Sequence, residues 1–117
     1  MKDTTIDFKL SVLKVGLLNL SKNYKEQIKL YPEFVDVFDE VLSDFEDGFI
    51  LLPSLIYEGI VKEKTASIIK ICDNLININL KNDDLLSDES FEFSNSWNEV
   101  RMYAKKAFDS LLDDIHQ

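Results

Sequence analysis

The side chains most often used as nucleophiles and general bases are scarce in this chain. It contains one histidine, His116, and one cysteine, Cys72. Nucleophilic catalysis of the Ser/His/Asp or Cys/His type needs a base that a third group holds in position. His116 stands next to the last residue, where chains are usually poorly ordered. Cys72 shares a helical stripe with Ile68 and Leu75, which predicts a buried, unreactive thiol. We therefore expect no catalytic residues and a non-enzymatic protein.

Carboxylates are abundant, so metal binding and acid–base chemistry also need testing. A di-iron site in a helical bundle needs Glu-x-x-His pairs, and the chain has none. Segment 82–92 is acidic, but it lacks the glycine of an EF-hand loop and has Leu85 and Leu86 at ligand positions. The three glycines are too far apart for a Gly-rich phosphate loop. We expect no metal ion and no cofactor, while a catalytic pair of carboxylates distant in sequence stays open as an alternative.

The distribution of charge is the most informative feature. Twenty-two acidic residues face thirteen basic ones, which gives a formal net charge of −9. Segment 33–58 contains eight acids and no base, and segment 82–100 contains six acids and no base. The first 31 residues instead carry six lysines against three acids. The negative charge is therefore concentrated in two stretches.

Part of the first acidic stretch follows helical spacing. Its acids recur at steps of three and four residues and are expected to form one stripe on a helix, at Glu33, Asp36, Glu40, Asp44 and Asp47. Like charges at this spacing repel by roughly 0.2–0.5 kcal/mol per pair, and an ordinary solvated face is the simplest explanation. The absence of any compensating lysine favours a second explanation, in which the field attracts a basic partner. The expected partner-binding set also includes acids of the second stretch, Asp83, Asp84, Asp88, Glu89 and Glu92.

The sign of this charge excludes several kinds of partner. Phosphate contacts are made by Lys and Arg, and the chain has a single arginine, Arg101, with no alternation of aromatic and basic residues. We therefore expect no binding of nucleic acid and no docking on anionic membranes. A basic protein is the expected partner, and proteins that bind nucleic acid are the most strongly basic common class.

Apolar residues at helical spacing predict the elements that carry these charges. A row that ends at Tyr24 predicts a first helix, which starts near Thr4 and either continues to about Leu30 or breaks near Ser21–Asn23. That row is Ile6, Leu10, Leu13, Leu17, Leu20 and Tyr24. A second helix is expected to have Pro32 in its first turn and to stop at Gly48. Its apolar row is Phe34, Phe38, Val41 and Phe45.

The following segments predict shorter elements. We expect Phe49–Pro53 to be a buried connector and Ser54–Val61 to be a short helix. A further helix should start near Thr65 and end among asparagines, with the apolar residues Ile68, Ile69, Cys72, Leu75 and Ile76. The alternation in Leu75–Leu80 leaves a β-strand open as an alternative for residues 75–80.

The last part of the chain combines a loop and a helix. Lys81–Asn95, dense in Asp, Ser and Asn, is predicted to be a loop. Ser96 and Glu99 form a capping box that predicts the start of the last helix. Its apolar stripe is Trp97, Val100, Ala104, Ala107 or Phe108, Leu111 and Ile115. Trp97 is expected in the core, and Tyr24, Tyr31, Tyr57 and Tyr103 are candidate interface anchors.

Length and composition complete the prediction of fold class. The chain has 117 residues, of which 45 % are hydrophobic and 30 % charged, as in a soluble globular protein. Scarce glycine and proline argue against a sandwich or barrel, and one cysteine excludes an internal disulfide. We predict a single domain spanning residues 1–117, all-α, a compact helical bundle or stack of helical hairpins with about five helices. Met1–Phe8 lacks a secretory signal pattern and no window has the apolar length of a membrane span, so we expect a cytoplasmic protein.

Two segments and the acidic stretches resemble a known group of proteins. The segments are Leu52-Pro53-Ser54-Leu55-Ile56-Tyr57-Glu58-Gly59-Ile60 and Ser96-Trp97-Asn98-Glu99-Val100-Arg101. A short, acidic, mostly helical chain with a Trp-led terminal helix resembles the bacterial immunity proteins of toxin–immunity pairs, including those of contact-dependent growth inhibition. The resemblance implies binding and neutralisation of a cognate basic toxin domain, for which we expect a nuclease. The alternative hypothesis is a non-enzymatic helical interaction or regulatory module whose partner is not a toxin.

Overall fold

Four rows of apolar residues at helical spacing become the four long helices of the computed structural model, which describes residues 4–116. Within that range it has seven α-helices and one 3-10 helix. Their bounds are α1 (Thr4–Ser21), α2 (Tyr24–Gln27), α3 (Val37–Ile50), α4 (Leu52–Tyr57), α5 (Glu63–Leu80), the 3-10 helix (Asp83–Leu85), α6 (Asp88–Phe93) and α7 (Asn95–Ile115). The predicted all-α helical bundle is confirmed. Residues 1–3, part of the segment that we searched for a secretory signal, lie outside the described residues.

The long helices pack in the spatial order α3–α1–α7–α5. Helix α1 lies along both α3 and α7, and α7 also lies along α5, whereas α3 and α5 barely touch. The rows that meet between these helices lose nearly all contact with solvent, and include Leu17, Val41, Ile69, Trp97 and Leu111. Burial of each such side chain contributes about 1.5–3 kcal/mol. On the fourth side α3 and α5 barely touch, and a groove lies between them that α4 borders at one end.

Helices α1 and α3 approach each other most closely at two glycines. A Cβ on Gly16 would lie 2.6 Å from the carbonyl oxygen of Asp44, and a Cβ on Gly48 would lie 2.8 Å from the Cα of Leu13. The prediction that Gly48 ends the second helix is therefore wrong, because α3 continues through it to Ile50. At this position glycine allows close helix contact and does not serve as a left-handed stop.

The break near Ser21–Asn23 is the alternative that the structure shows for the first apolar row. Helix α1 ends at Ser21, and Asn23 then caps α2 by accepting a hydrogen bond from the Glu26 N–H at 2.9 Å. An asparagine side chain that bonds to the backbone in this way favours a new helix start over continuation.

The second helix starts five residues later than Pro32, in disagreement with the prediction. Asp36 is its N-cap and accepts a weak hydrogen bond from the Asp39 N–H at 3.4 Å, so α3 begins at Val37. Pro32 lies in the preceding turns. Phe34 falls outside the helix and is 88 % exposed, whereas the rest of its predicted row is buried.

The connector and the short helix after α3 are shifted relative to the predictions. Phe49 and Ile50 belong to α3, and Ile50 is 67 % exposed, so the expected buried connector is wrong in its greater part. Helix α4 begins at Leu52 because Pro53 suits a first turn. After it ends, Gly59 has φ 74°, a left-handed value that glycine adopts without strain.

Residues 75–80 are helical, so the strand alternative is wrong. Helix α5 runs from Glu63 to Leu80 and contains Asn77 and Asn79. Asn79 is buried and its side-chain N–H donates to the carbonyl oxygen of Ser96 at 3.1 Å. Because the side chain of Asn79 bonds to Ser96, it does not bond to nearby backbone groups and so does not end the helix, contrary to what we expected of asparagine.

The predicted loop Lys81–Asn95 contains a 3-10 helix and α6. Helix α6 is held by Phe91, which is buried in the core. The cap of α7 is Ser94, whose hydroxyl accepts from the Ser96 N–H at 3.0 Å, so the predicted capping box at Ser96 is wrong by two residues. The apolar stripe of α7 is confirmed, with Trp97 fully buried and its ring N–H donating to the carbonyl oxygen of Leu85 at 2.8 Å.

Candidate partner-binding surface

The ten acids predicted to bind a partner lie in four places. Glu33 and Asp36 precede α3, so the expected single helical stripe is interrupted at its start. The others lie on α3 (Glu40, Asp44, Asp47), in the 3-10 helix (Asp83, Asp84) and on α6 (Asp88, Glu89, Glu92). Most are exposed, and none belongs to the core.

Asp44 is held by a local contact and not directed only to solvent. The hydroxyl of Tyr31 donates a hydrogen bond to its carboxylate. Burial, followed by this hydrogen bond, raises the pKa of Tyr31, so the tyrosine stays a neutral donor. Asp44 and Asp47 also border a shallow hollow against Val12 and Val15 of α1. Asp44 and Asp47 therefore lie where α3 packs against α1, and Asp44 also joins α3 to Tyr31.

Acids of the two stretches converge near Tyr24. The negative charge of Asp36, followed by burial and with a smaller effect of Asp88, raises the pKa of Asp39. Burial, with the charges of Asp88, Glu92 and Asp36, raises the pKa of Tyr24. Asp36 and Asp88 also line one groove, so the N-terminal ends of α3 and α6 face the same region. We call Asp36, Asp39, Asp88 and Glu92 the acidic face.

Asp39 was not in the predicted set because it falls off the helical stripe. The spacing Asp36-x-x-Asp39 at a helix start was the available signal, since an N-cap carboxylate lies close to the third helical residue. The predicted stripe was chosen from the three- and four-residue spacing of the acids, on the assumption that the helix already includes Glu33.

The carboxylates of the acidic face make no ion pair with another described residue. Among the described residues, none of its four carboxylates lies within 4 Å of a lysine or arginine nitrogen, in contrast with the pair Lys105–Asp109 at 2.8 Å. No direct ion pair relieves the repulsion between these carboxylates in the described part of the chain, and the buried guanidinium of Arg101 acts on Glu92 only at longer range. A cation from outside would be favoured here.

A groove of about 650 Å³ adjoins the acidic face. Tyr24, Tyr31 and Val35 form apolar and aromatic walls, and Asp36 and Asp88 stand on the same groove. Phe34, exposed as described above, lies in the segment that forms one wall. One cation, Lys29, also lines it. We call this the Tyr24 groove; it combines aromatic contact area with negative charge.

Arg101 and Gln27 fix the position of α6 relative to α2. The guanidinium of Arg101 donates to the side-chain oxygen of Gln27 at 3.1 Å and to the carbonyl oxygen of Phe91 at 2.7 Å. Gln27 is fully buried and donates in turn to carbonyl oxygens at the end of α1, those of Asn19 (3.1 Å) and Leu20 (3.3 Å). This network could not be predicted from the sequence, because the arginine is far from its partners along the chain.

Arg101 keeps its charge in the interior. It is 6 % exposed, its guanidinium carbon lies 4.5 Å from the centre of the Phe91 ring, and it also donates to the side-chain oxygen of Asn98 at 3.0 Å. Burial lowers its pKa to about 10, while the charges of Glu92 and Tyr24 act in the opposite direction. It is therefore a cation at neutral pH that is stabilised by oxygen acceptors and an aromatic face.

The candidate nucleophile and base are not brought together. Cys72 is buried, as predicted, and burial raises the pKa of its thiol to about 12. His116 is exposed just after α7. In residues 4–116, no group of three or more His, Cys, Asp and Glu side chains is placed to hold a metal ion. The described helices also include none with the length and apolar character needed to cross a bilayer.

Comparisons with protein-family models, with curated protein sequences and with solved structures gave no match to this chain.

Proposed function

We propose that this chain is a non-enzymatic binding protein that engages a basic region of a partner protein through the acidic face and the Tyr24 groove. The observation that carries the proposal is that Asp36 and Asp88, from two distant acidic stretches, line one groove, while no lysine or arginine nitrogen lies within 4 Å of the four carboxylates in the described part of the chain. A solvated face that serves solubility alone has no need for acids of α3 and α6 to share one groove.

Charge and aromatic area have separate roles in this proposal. The field of the acidic face accelerates encounter with a cationic partner and disfavours acidic ones. It acts over about 8 Å at physiological ionic strength. Aromatic residues supply binding energy after encounter. Tyr24 and Tyr31 line the groove together with Asp36 and Asp88, and the exposed Phe34 lies in the segment between Tyr31 and Asp36.

More specifically, we propose that the partner is a basic toxin domain, with a nuclease as the expected type, and that the chain acts as its immunity protein in the cytoplasm. Nucleases hold phosphates with lysine and arginine side chains. The carboxylates Asp36, Asp88 and Glu92 could occupy such cationic positions in place of phosphate. The resemblance to toxin–immunity pairs supports this choice of partner over other basic proteins.

Co-expression tests the biological part of the proposal. If an adjacent gene encodes a large secreted protein with a variable C-terminal domain, that domain should inhibit growth when expressed alone. It should cease to do so when this chain is co-expressed, and the two should co-purify. A domain that binds the chain without being toxic would favour the alternative, a regulatory module with a non-toxin partner.

Charge neutralisation tests the surface itself. The double variant Asp36→Asn/Asp88→Asn keeps side-chain size, and asparagine is a good N-cap. Its association rate with the purified partner should fall by roughly 3- to 10-fold at low ionic strength, with a weaker dependence on salt. The matched control Glu58→Gln/Asp113→Asn removes the same charge at two exposed positions outside the groove. Equal effects of the two double variants would refute a local role of the acidic face.

A further inference from the structure

The open side of the bundle between α3 and α5 forms a second, separate groove. One part, about 280 Å³, is lined by Leu42, Phe49, Ile76 and Leu80, among others. The adjoining part, about 310 Å³, lies against α4 and shares Phe49 with the first. The two parts follow each other along α5 from Leu80 to Lys70, a distance of about 15 Å at 1.5 Å per residue. We call this the α3–α5 groove.

The rim of this groove exposes apolar side chains that the bundle does not cover. Ile50 is 67 % exposed and Leu80 is 42 % exposed, while Phe49 is half-buried at the junction of the two parts. Helices α3 and α5 barely touch, and α4 contacts both of them at one end of the groove.

The two parts of the groove carry opposite charges. Glu46 of α3 and Asp73 of α5 face the same part, and Lys70 lines the other part. Neither carboxylate has a lysine or arginine nitrogen within 4 Å in the described chain. Asp73 has one partner, the side-chain N–H of Asn77 at 3.2 Å. Burial, with the charge of Glu46, raises the pKa of Asp73, so the groove disfavours its own negative charge.

We propose that the α3–α5 groove binds an amphipathic α-helix of a partner protein, about three turns long, that places a lysine or arginine between Glu46 and Asp73. The length of the groove fits three turns at 5.4 Å each. An apolar helix face against two flanking helices is a common mode of peptide recognition. A second copy of this chain is a poor occupant, because two molecules of net charge −9 repel.

This site does not depend on the function proposed above. The acidic face lies at the N-terminal end of α3 and the groove lies towards its C-terminal end, about 20 Å away along the helix for Asp36 and Ile50. The same partner or a different one could therefore use the groove, and its test needs no toxin.

The probe is a synthetic, fluorescein-labelled helical peptide of about twelve residues, stapled on its outer face because short helices are marginal in water. Leucines occupy its inner face, with one arginine at the centre. A matched peptide carries glutamate in place of that arginine. We expect the arginine peptide to bind the full chain at least about tenfold more tightly, as measured by fluorescence anisotropy.

Two pairs of variants locate the binding. Glu46→Lys/Asp73→Lys should reverse the preference between the peptides, whereas Glu99→Lys/Asp113→Lys, with the same change of charge on α7, should leave the preference for arginine in place. Leu80→Ser should weaken binding at least about tenfold, and Ile78→Ser, at an exposed position of α5 outside the groove, should not.

Three results of the peptide experiments would overturn the inference. They are equal binding of both peptides, a preference that Glu46→Lys/Asp73→Lys does not change, and no binding of either peptide at millimolar concentration. Sedimentation showing a dimer that Leu80→Ser dissociates would also overturn it, because the groove would then be occupied by a second copy.

Discussion

Replacement of Gly16 or Gly48 by alanine tests the close packing of α1 against α3. In a helix interior, alanine is ordinarily more favourable than glycine by about 0.8–1.0 kcal/mol. Here the added Cβ would lie 2.6 Å from a backbone oxygen at Gly16 and 2.8 Å from a backbone Cα at Gly48. Neither neighbour is a flexible side-chain end, so the two helices must separate to admit the methyl group.

The size of that separation sets the expected cost. Ordinary contact begins near 3.4 Å, so α1 and α3 must move apart by about 0.8 Å at Gly16. A gap of 0.5–1 Å removes a quarter to a half of the dispersion attraction between facing atoms. Overpacking of this kind costs about 1–3 kcal/mol. Because the strain falls on backbone, we place it in the upper part of that range, and the gain in helix propensity leaves a net loss of about 1–2 kcal/mol for each variant.

Urea unfolding, followed by circular dichroism and by the fluorescence of the buried Trp97, measures these losses. The exposed Ser43→Ala on α3 is the control for helix propensity and should change stability by less than about 0.5 kcal/mol. The double variant Gly16→Ala/Gly48→Ala should cost less than the sum of the single losses, because the first methyl group already separates the pair of helices that the second one meets.

A neutral or stabilising effect of Gly16→Ala would refute this reasoning. It would mean that α1 and α3 lie farther apart than described and that helix propensity decides the outcome. Strict additivity in the double variant would refute the narrower claim that both glycines set one common helix separation.

The other predictions concern buried and clustered polar groups. Arg101→Met leaves two buried oxygen acceptors without a donor, one of them on Gln27, and should lower the free energy of unfolding by about 2–4 kcal/mol; a loss below 1 kcal/mol in urea unfolding would contradict the role of this network. The carboxyl of Asp39 should titrate above 3.8 in an NMR experiment and move back towards that value in Asp36→Asn, because the charge of Asp36 is the main cause of the shift. Since the folded state then holds this proton more tightly than the unfolded state, the contribution of Asp39 to stability should rise as pH falls through its raised pKa; a carboxyl that titrates at or below 3.8 would contradict the geometry of the acidic face. The thiol of Cys72, with a pKa of about 12, should react with a disulfide reagent at pH 8 only as fast as the protein unfolds.

The long helices could be predicted from sequence because their apolar period is sustained. The stripe from Trp97 to Leu111 keeps one face towards the core for four turns, and no tertiary detail is needed to recognise it. The first and last residues of the helices were harder to predict. Ser94 and Ser96 are both good caps, and only the chain path decides which hydroxyl meets a free backbone N–H.

Features that depend on distant residues could not be predicted in this way. Helix α6 is six residues long, too short to be stable by propensity, and exists because Phe91 fits between Tyr24, Phe38 and Trp97. Glycine often ends helices, so the sequence predicts a helix end at Gly48. Only its contact with Leu13 of α1 shows that this glycine instead allows the two helices to pack closely. The polar composition of Lys81–Asn95 predicts a loop, and the single phenylalanine that anchors α6, Phe91, is too weak a signal to change that prediction.

The charge pattern of the sequence predicts which segments are acidic, but it does not predict that these segments meet in the fold to form the acidic face. Composition identified two acidic stretches, which is a property of the sequence alone. Their convergence needs α6 to be docked beside α2, and that docking is made by Phe91 and by the hydrogen bonds of Arg101 to Gln27 and to the Phe91 carbonyl. The cation with the most buried position in the described chain thus fixes the arrangement of carboxylates without forming an ion pair with any of them. Its guanidinium donates to backbone and amide oxygens and acts on Glu92 only at longer range, so in the described chain neither Asp88 nor Glu92 makes an ion pair that a partner would have to break.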